Sequence, residues 1–291
     1  MRRATLVTFV ATAVAVLCAC AAGCSTALEP RTVGFAYGAP ELRTPVRIRS
    51  YDQASAAIAA VFERDLGFRP FAATLRLYPD AGSFEAALVS AGYDPPFARE
   101  TARVMSAVGG HRAVLLNEQT LAPMSWPTRA GLLAHELTHT FQYELAGGRR
   151  GTSDQWLREG FAEWVAMRVL EGLGATRAAD FRRDRLRQLR ATRAAGAPRL
   201  DEMVTFRQLV ALATRTDIAP YAQAFLAVDL LVERHGLPAV VRYFELFATS
   251  RDRLGNFAAA FGESLPSFEA ALREHLWPPR GRKPRAPGGL P

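Results

Sequence analysis

The chain has 291 residues, 49% of them hydrophobic and 22% charged, which is enough to bury one sizeable core or two subdomains sharing a cleft. Its formal net charge of +8 would allow contact with nucleic acid or an anionic membrane. No nucleic-acid-binding motif accompanies that charge, and the cluster Arg177, Arg182, Arg183, Arg185, Arg187, Arg190 and Arg193 is expected to form a solvated helix face. The three cysteines, Cys18, Cys20 and Cys24, all fall in the first 24 residues, so the rest of the chain has neither a disulfide framework nor a thiolate metal site.

In chain order, Met1-Arg2-Arg3 is a short basic start and residues 4–19 are apolar, the pattern of a secretory signal rather than a structural helix. Ala21-Ala22-Gly23-Cys24-Ser25 looks like a bacterial lipobox with Cys24 as the lipid-modified residue. Leu17-Cys18-Ala19-Cys20 is a second candidate, and ordinary cleavage or retention as a membrane anchor are the alternatives. Residues 25–44 contain Pro30, Gly34, Gly38 and Pro40 without sustained periodicity and are expected to be a linker. Val46-Arg47-Ile48-Arg49 alternates as a short strand. Residues 54–66 carry helical spacing and stop at Gly67. Residues 73–78 alternate again and end at the Pro79-Asp80 turn. A helix through Ala91 follows, capped by Asp80 or Ser83. Residues 95–107 read as a helix, Gly109-Gly110 as a turn, and 113–117 as a strand. One helix spans 128–145 and ends at Gly147-Gly148. Another spans 155–170 after a loop. From there the pattern is helical throughout: 178–194, 206–212, 221–235, 240–248 and 265–276, with breaks at Gly196-Ala197-Pro198 and Gly236-Leu237-Pro238. Residues 278–291, rich in proline and basic side chains, are expected to be disordered.

The chemistry is concentrated in His135-Glu136-Leu137-Thr138-His139. Residues four apart lie on one helix face, one turn above the other, so two imidazoles can bind one Zn²⁺. The glutamate between them can serve as general base. Leu133, Leu137 and Phe141 form the core stripe of the same helix; Tyr143 can belong to either side. A catalytic zinc needs a third protein ligand and an open position. Glu159, near the start of the next helix and after a loop able to reverse the chain, is the candidate. With only five histidines in the chain, a chance motif is improbable.

His135-Glu136-x-x-His139 followed by Glu159 resembles the gluzincin zinc metallopeptidases, the thermolysin-like and aminopeptidase-like group. The wording Trp156-Leu157-x-Glu159-Gly160-Phe161-Ala162-Glu163 is closer to the aminopeptidase branch and the peptidase MA-like families. The resemblance is specific over residues 132–165 and looser over 46–235. It implies an α+β, zincin-like fold: a small mixed sheet with helices packed on the motif helix in a subdomain over 45–150, then an all-helical subdomain over 151–277 bearing the third ligand. Carried over, it makes His135, His139 and Glu159 the zinc ligands and Glu136 the general base. It makes Tyr221 the donor to the tetrahedral oxyanion and Glu163 the carboxylate that supports His135. His235 is read as a helix-end histidine favoured by the dipole, and His111 and His275 as surface residues. Many relatives have Asn immediately before the ligand glutamate, where it supports the zinc geometry; here that residue is Arg158. Gly109-Gly110-His111 does not match the exopeptidase motif of the aminopeptidases, so an aminopeptidase is not expected. In this superfamily the strand before the catalytic helix often forms an edge that holds an extended peptide, a role that would fall to residues 113–117.

These readings converge on an extracytoplasmic zinc endopeptidase acting on a peptide or protein substrate, tethered to the cell envelope by lipid on Cys24, or secreted if that lipobox is unused. No nucleic-acid partner is expected. The alternatives are a catalytically silent zinc-binding envelope lipoprotein and, from the arginine-rich helix and tail alone, a module that binds an anionic polymer or membrane surface.

Overall fold

The computed structural model describes residues 30–38, 47–191, 197–215 and 217–277. The signal segment with Cys18, Cys20 and Cys24, most of the expected linker, Val46 and the basic tail 278–291 lie outside the described residues. The fold is α+β. Among the described residues there are twelve α-helices and one four-stranded mixed sheet, and no helix long and apolar enough to cross a membrane. The chain divides into two compact units: one comprises the residues up to Glu144 together with Val165–Thr176, the other Leu145–Trp164 together with the residues from Arg177 onward. Neither unit is one continuous stretch.

The first unit holds the sheet. Strands β1 (Arg31–Phe35), β2 (Ala73–Tyr78), β3 (Ala107–Gly110) and β4 (Ala113–Asn117) are ordered β1-β2-β4-β3. β1 is antiparallel to β2, β2 parallel to β4, and β3 antiparallel to β4. Four expectations are corrected here. Arg31–Phe35, expected within the linker, is a strand that buries Val33 and Phe35; its five residues form a strand only because β2 supplies a partner about forty residues away. Arg47 to Arg49 form no strand. Gly109-Gly110 lies in β3 rather than in a turn, and the reversal falls at His111-Arg112, where Arg112 takes φ 56°. β4 is paired on both sides, so it cannot be a sheet edge; among the described strands the edges are β1 and β3.

Helix α1 (Tyr51–Arg64) starts where Ser50 accepts the Gln53 N–H, and α2 (Ala81–Ser90) where Asp80 and Ser83 form a reciprocal capping box. α3 (Pro95–Val104) ends three residues short of expectation because the chain enters β3, and α4 (Glu118–Leu121) is a single turn after β4. α5 (Trp126–Leu145) carries the histidine motif. Its Phe141 stacks on Phe68 with ring centroids 4.4 Å apart and lies 5.4 Å from Phe71, which in turn packs on Phe35 of β1 and Phe62 of α1. This aromatic cluster seats α5 against the sheet side of the unit. Leu133 and Leu137 are buried on α5 with Phe141, as the periodicity predicts.

α6 (Gln155–Gly172) runs from the second unit into the first. The second unit is built from α7 (Ala178–Arg190), a short 3-10 turn (Leu200–Met203), α8 (Phe206–Ala213), α9 (Pro220–His235), α10 (Leu237–Leu246), α11 (Arg253–Phe261) and α12 (Leu265–Leu276). α11, capped by Asp252, has no counterpart among the expected elements. Trp156 and Phe161 of α6 stack on Phe268 of α12 and Phe244 of α10, and all four are fully buried. α6 and α9 cross with almost no space between backbones: a Cβ on Gly160 would stand 2.2 Å from the Ala224 carbonyl oxygen. At that distance only glycine fits.

The arginine-rich α7 is only partly a solvated face. Arg182 forks onto Asp229 of α9 through two 2.7 Å bonds, while Asp229 also accepts the Trp164 indole N–H. Arg185 is buried, donates to Glu163 at 2.8 Å and lies over the Phe181 ring. Arg185 therefore forms an internal ion pair, while Arg182 is paired but remains partly exposed.

Candidate metal centre

His135, His139 and Glu159 each offer a ligand atom, and these atoms all lie within 4.8 Å of one another; the group can hold a metal ion. The two imidazoles are nearly perpendicular, with centroids 4.8 Å apart and Nε2 to Nε2 separated by 3.2 Å. Two nitrogens bound at about 2.0–2.1 Å to one tetrahedral zinc stand about 3.3 Å apart, so the histidine pair already has the spacing of two ligands on one ion. The tautomer agrees. His139 Nδ1 is 3.0 Å from Gln142 Oε1, an acceptor, so Nδ1 carries the proton and the Nε2 lone pair points toward His135. His139 and Glu159 are buried and His135 is half-buried. That exposure suits a centre open on one side.

Glu136 sits beside the pair on α5 and is buried. Its Oε2 accepts the Gly109 backbone N–H of β3 at 2.6 Å. A Cβ on Gly109 would be 2.3 Å from the Glu136 carbonyl oxygen and 3.0 Å from the His139 Cβ. The glycine pair expected to form a turn is thus the place where the edge strand lies directly on the motif helix.

Glu159 lies one turn into α6. Gln155, four residues earlier and on the same helix face, donates Nε2–H to Glu159 Oε1 at 2.6 Å, and Gln155 Oε1 accepts from Arg150 at 3.0 Å. Arg158 donates to the Arg150 carbonyl and to Ser153 Oγ, bracing the loop ahead of α6. Glu163 accepts from Arg185. Tyr221 is half-buried in the first turn of α9, one turn ahead of Ala224, whose carbonyl faces Gly160. His111 is partly exposed beside Glu144, His275 is exposed, and His235 is hydrogen-bonded to Glu263 at 2.9 Å.

Just before α6, Asp154 is fully buried, its N–H donates to Tyr243 Oη, and Arg253 reaches both of its carboxylate oxygens. Burial pushes its carboxyl up to about 6, against the lowering pull of Arg253. Three residues at this centre were not singled out from the sequence: Gln142, Gln155 and Gly109. The glutamines carried a usable signal, since each lies three or four residues from a candidate ligand on one helix face; Gly109 carried none. Neither models of protein families, nor curated proteins, nor solved structures yield a match to this chain.

Proposed function

We propose that this chain is an extracytoplasmic zinc metallopeptidase of gluzincin type with a zincin-like fold, acting as an endopeptidase on a peptide or protein substrate and held at the cell envelope by lipid on Cys24. The observation that carries the reading is the histidine pair spaced as two zinc ligands with Glu159 alongside, and Glu136 directly following His135 on the same helix. Two neutral imidazoles and one carboxylate are the donor set of a catalytic rather than a structural zinc site. Zinc bound there would supply a Lewis acid that acidifies water and polarises a carbonyl.

In this reading the residues of the chain divide the remaining work. Glu136, held by the Gly109 N–H, takes the proton of the attacking water and returns it to the leaving amine. Glu163 supports His135 through its second oxygen while Arg185 holds the first. Tyr221 donates its hydroxyl to the developing oxyanion; the close α6–α9 crossing at Gly160, next to Glu159, supports that assignment. The outer edge of β3, which has no strand partner among the described residues, offers main-chain groups to an extended peptide.

The test begins with metal content of the purified full chain. About one zinc per chain, lost in both His139→Ala and Glu159→Ala, is the expected result. Glu136→Gln should keep the metal and lose hydrolysis of an unfolded protein substrate by at least about 10²-fold, the range of a general base. A folded wild-type chain that takes up no zinc would refute the proposal.

A further inference from the structure

The centre holds two of its three candidate ligands through neutral amides, and the two amides act in opposite senses. Gln142 is fully buried and accepts from His139 Nδ1–H at 3.0 Å through Oε1. Gln155, also buried, donates Nε2–H to Glu159 Oε1 at 2.6 Å. A ligating histidine commonly gives its second N–H to a carboxylate, which fixes the ring and raises its basicity. An amide oxygen fixes the same tautomer with a weaker pull on the proton.

We propose that Gln142 and Gln155 are positioning residues for the metal centre: Gln142 sets the His139 tautomer, and Gln155, itself held by Arg150, ties down one oxygen of Glu159 so that only Oε2 is presented to the ion. This rests on the metallopeptidase reading.

Donor and acceptor roles have consequences that packing alone does not. A glutamate at 142 can still accept from His139, and its charge makes the imidazole a better donor to the metal. A glutamate at 155 cannot donate to Glu159; it sets two carboxylates against each other. The same substitution therefore works in opposite directions at the two positions.

The experiment measures zinc affinity of the full chain by competition with a chromogenic chelator for wild type, Gln142→Glu, Gln155→Glu, Gln142→Leu and Gln155→Leu, with the melting midpoint of each metal-free protein as the control for folding. Gln142→Glu is expected to bind zinc as tightly as wild type or more tightly. Gln155→Glu and both leucine variants are expected to bind about 10–100-fold more weakly, with Gln155→Glu weakest. Wild type that binds zinc while all four variants bind equally well, or while both glutamate variants shift in the same direction, overturns the assignment and leaves the metal centre standing. Wild type that binds no zinc overturns the metallopeptidase reading itself.

Discussion

Gly160→Ala tests the packing that carries Glu159. Two effects compete. Replacing a helical glycine with alanine should stabilise α6 by about 1 kcal/mol through backbone entropy. Against this, the new Cβ would stand 2.2 Å from the Ala224 carbonyl oxygen, 2.6 Å from its carbonyl carbon and 2.8 Å from Val228 Cγ2. An ordinary contact is about 3.5 Å, so the backbones of α6 and α9 must part by about 1 Å, and no rotamer change can relieve a clash with main-chain atoms. Overpacking costs about 1–3 kcal/mol, and against main-chain atoms it stands at the top of that range, about 3 kcal/mol, so after the gain of about 1 kcal/mol a net loss of about 2 kcal/mol is expected. At about 2–4 °C per kcal/mol for a protein of this size, the melting midpoint should drop by about 4–8 °C. Gly131→Ala on α5 is the control, because its Cβ would meet only the end of the Leu170 side chain, at 3.1 Å. There the helix preference and a small side-chain shift nearly cancel, and stability should stay within about 1 kcal/mol of wild type. The assay is thermal melting of both variants in chelator, followed by zinc titration. A Gly160→Ala protein that melts at or above the wild-type temperature would refute the close helix crossing, and with it the support that the crossing lends to Tyr221.

Gly109→Ala should displace the edge strand from Glu136, because the added methyl meets the Glu136 carbonyl oxygen at 2.3 Å. Zinc content should be kept while kcat/KM falls by about 10-fold or more; unchanged turnover would show that the Gly109 N–H has no part in holding the base. Asp154 predicts a pH effect on stability. Its carboxyl, raised from 3.8 to about 6 in the folded protein, keeps a proton that the unfolded chain releases near 3.8. Its contribution is therefore fully present below about 4, falls as pH rises through about 4 to 6, and is constant above. A rise of that size in the folded state corresponds to on the order of 2–3 kcal/mol. Urea midpoints of wild type and Asp154→Asn, measured from about pH 3.5 to about pH 8 so that both plateaus are sampled, should show the wild-type advantage shrinking across that window. A difference independent of pH would mean that the Arg253 pairing cancels the burial.

What was legible in the sequence was local in the sequence. The motif helix, the core stripe Leu133, Leu137 and Phe141, and the capping of α2 by Asp80 all depend on residues within one or two turns, so periodicity and spacing reveal them. What was misread depended on distant partners. Arg185 looked like part of a solvated face because its partner Glu163 lies 22 residues away. Gly109-Gly110 looked like a turn because a glycine pair usually is one, and nothing nearby shows that a strand there must pass within touching distance of Glu136.

The sequence by itself determined that two imidazoles share one helix face with a carboxylate beside them in the chain, since an α-helix places residues four apart together whatever the rest of the chain does. Only the tertiary structure decided that Arg31–Phe35 is a strand, that β3 rather than β4 is a sheet edge, and that Arg185 turns inward. Strand pairing and the partners of buried polar groups are set by which segments meet in space, and spacing along the chain does not encode that meeting.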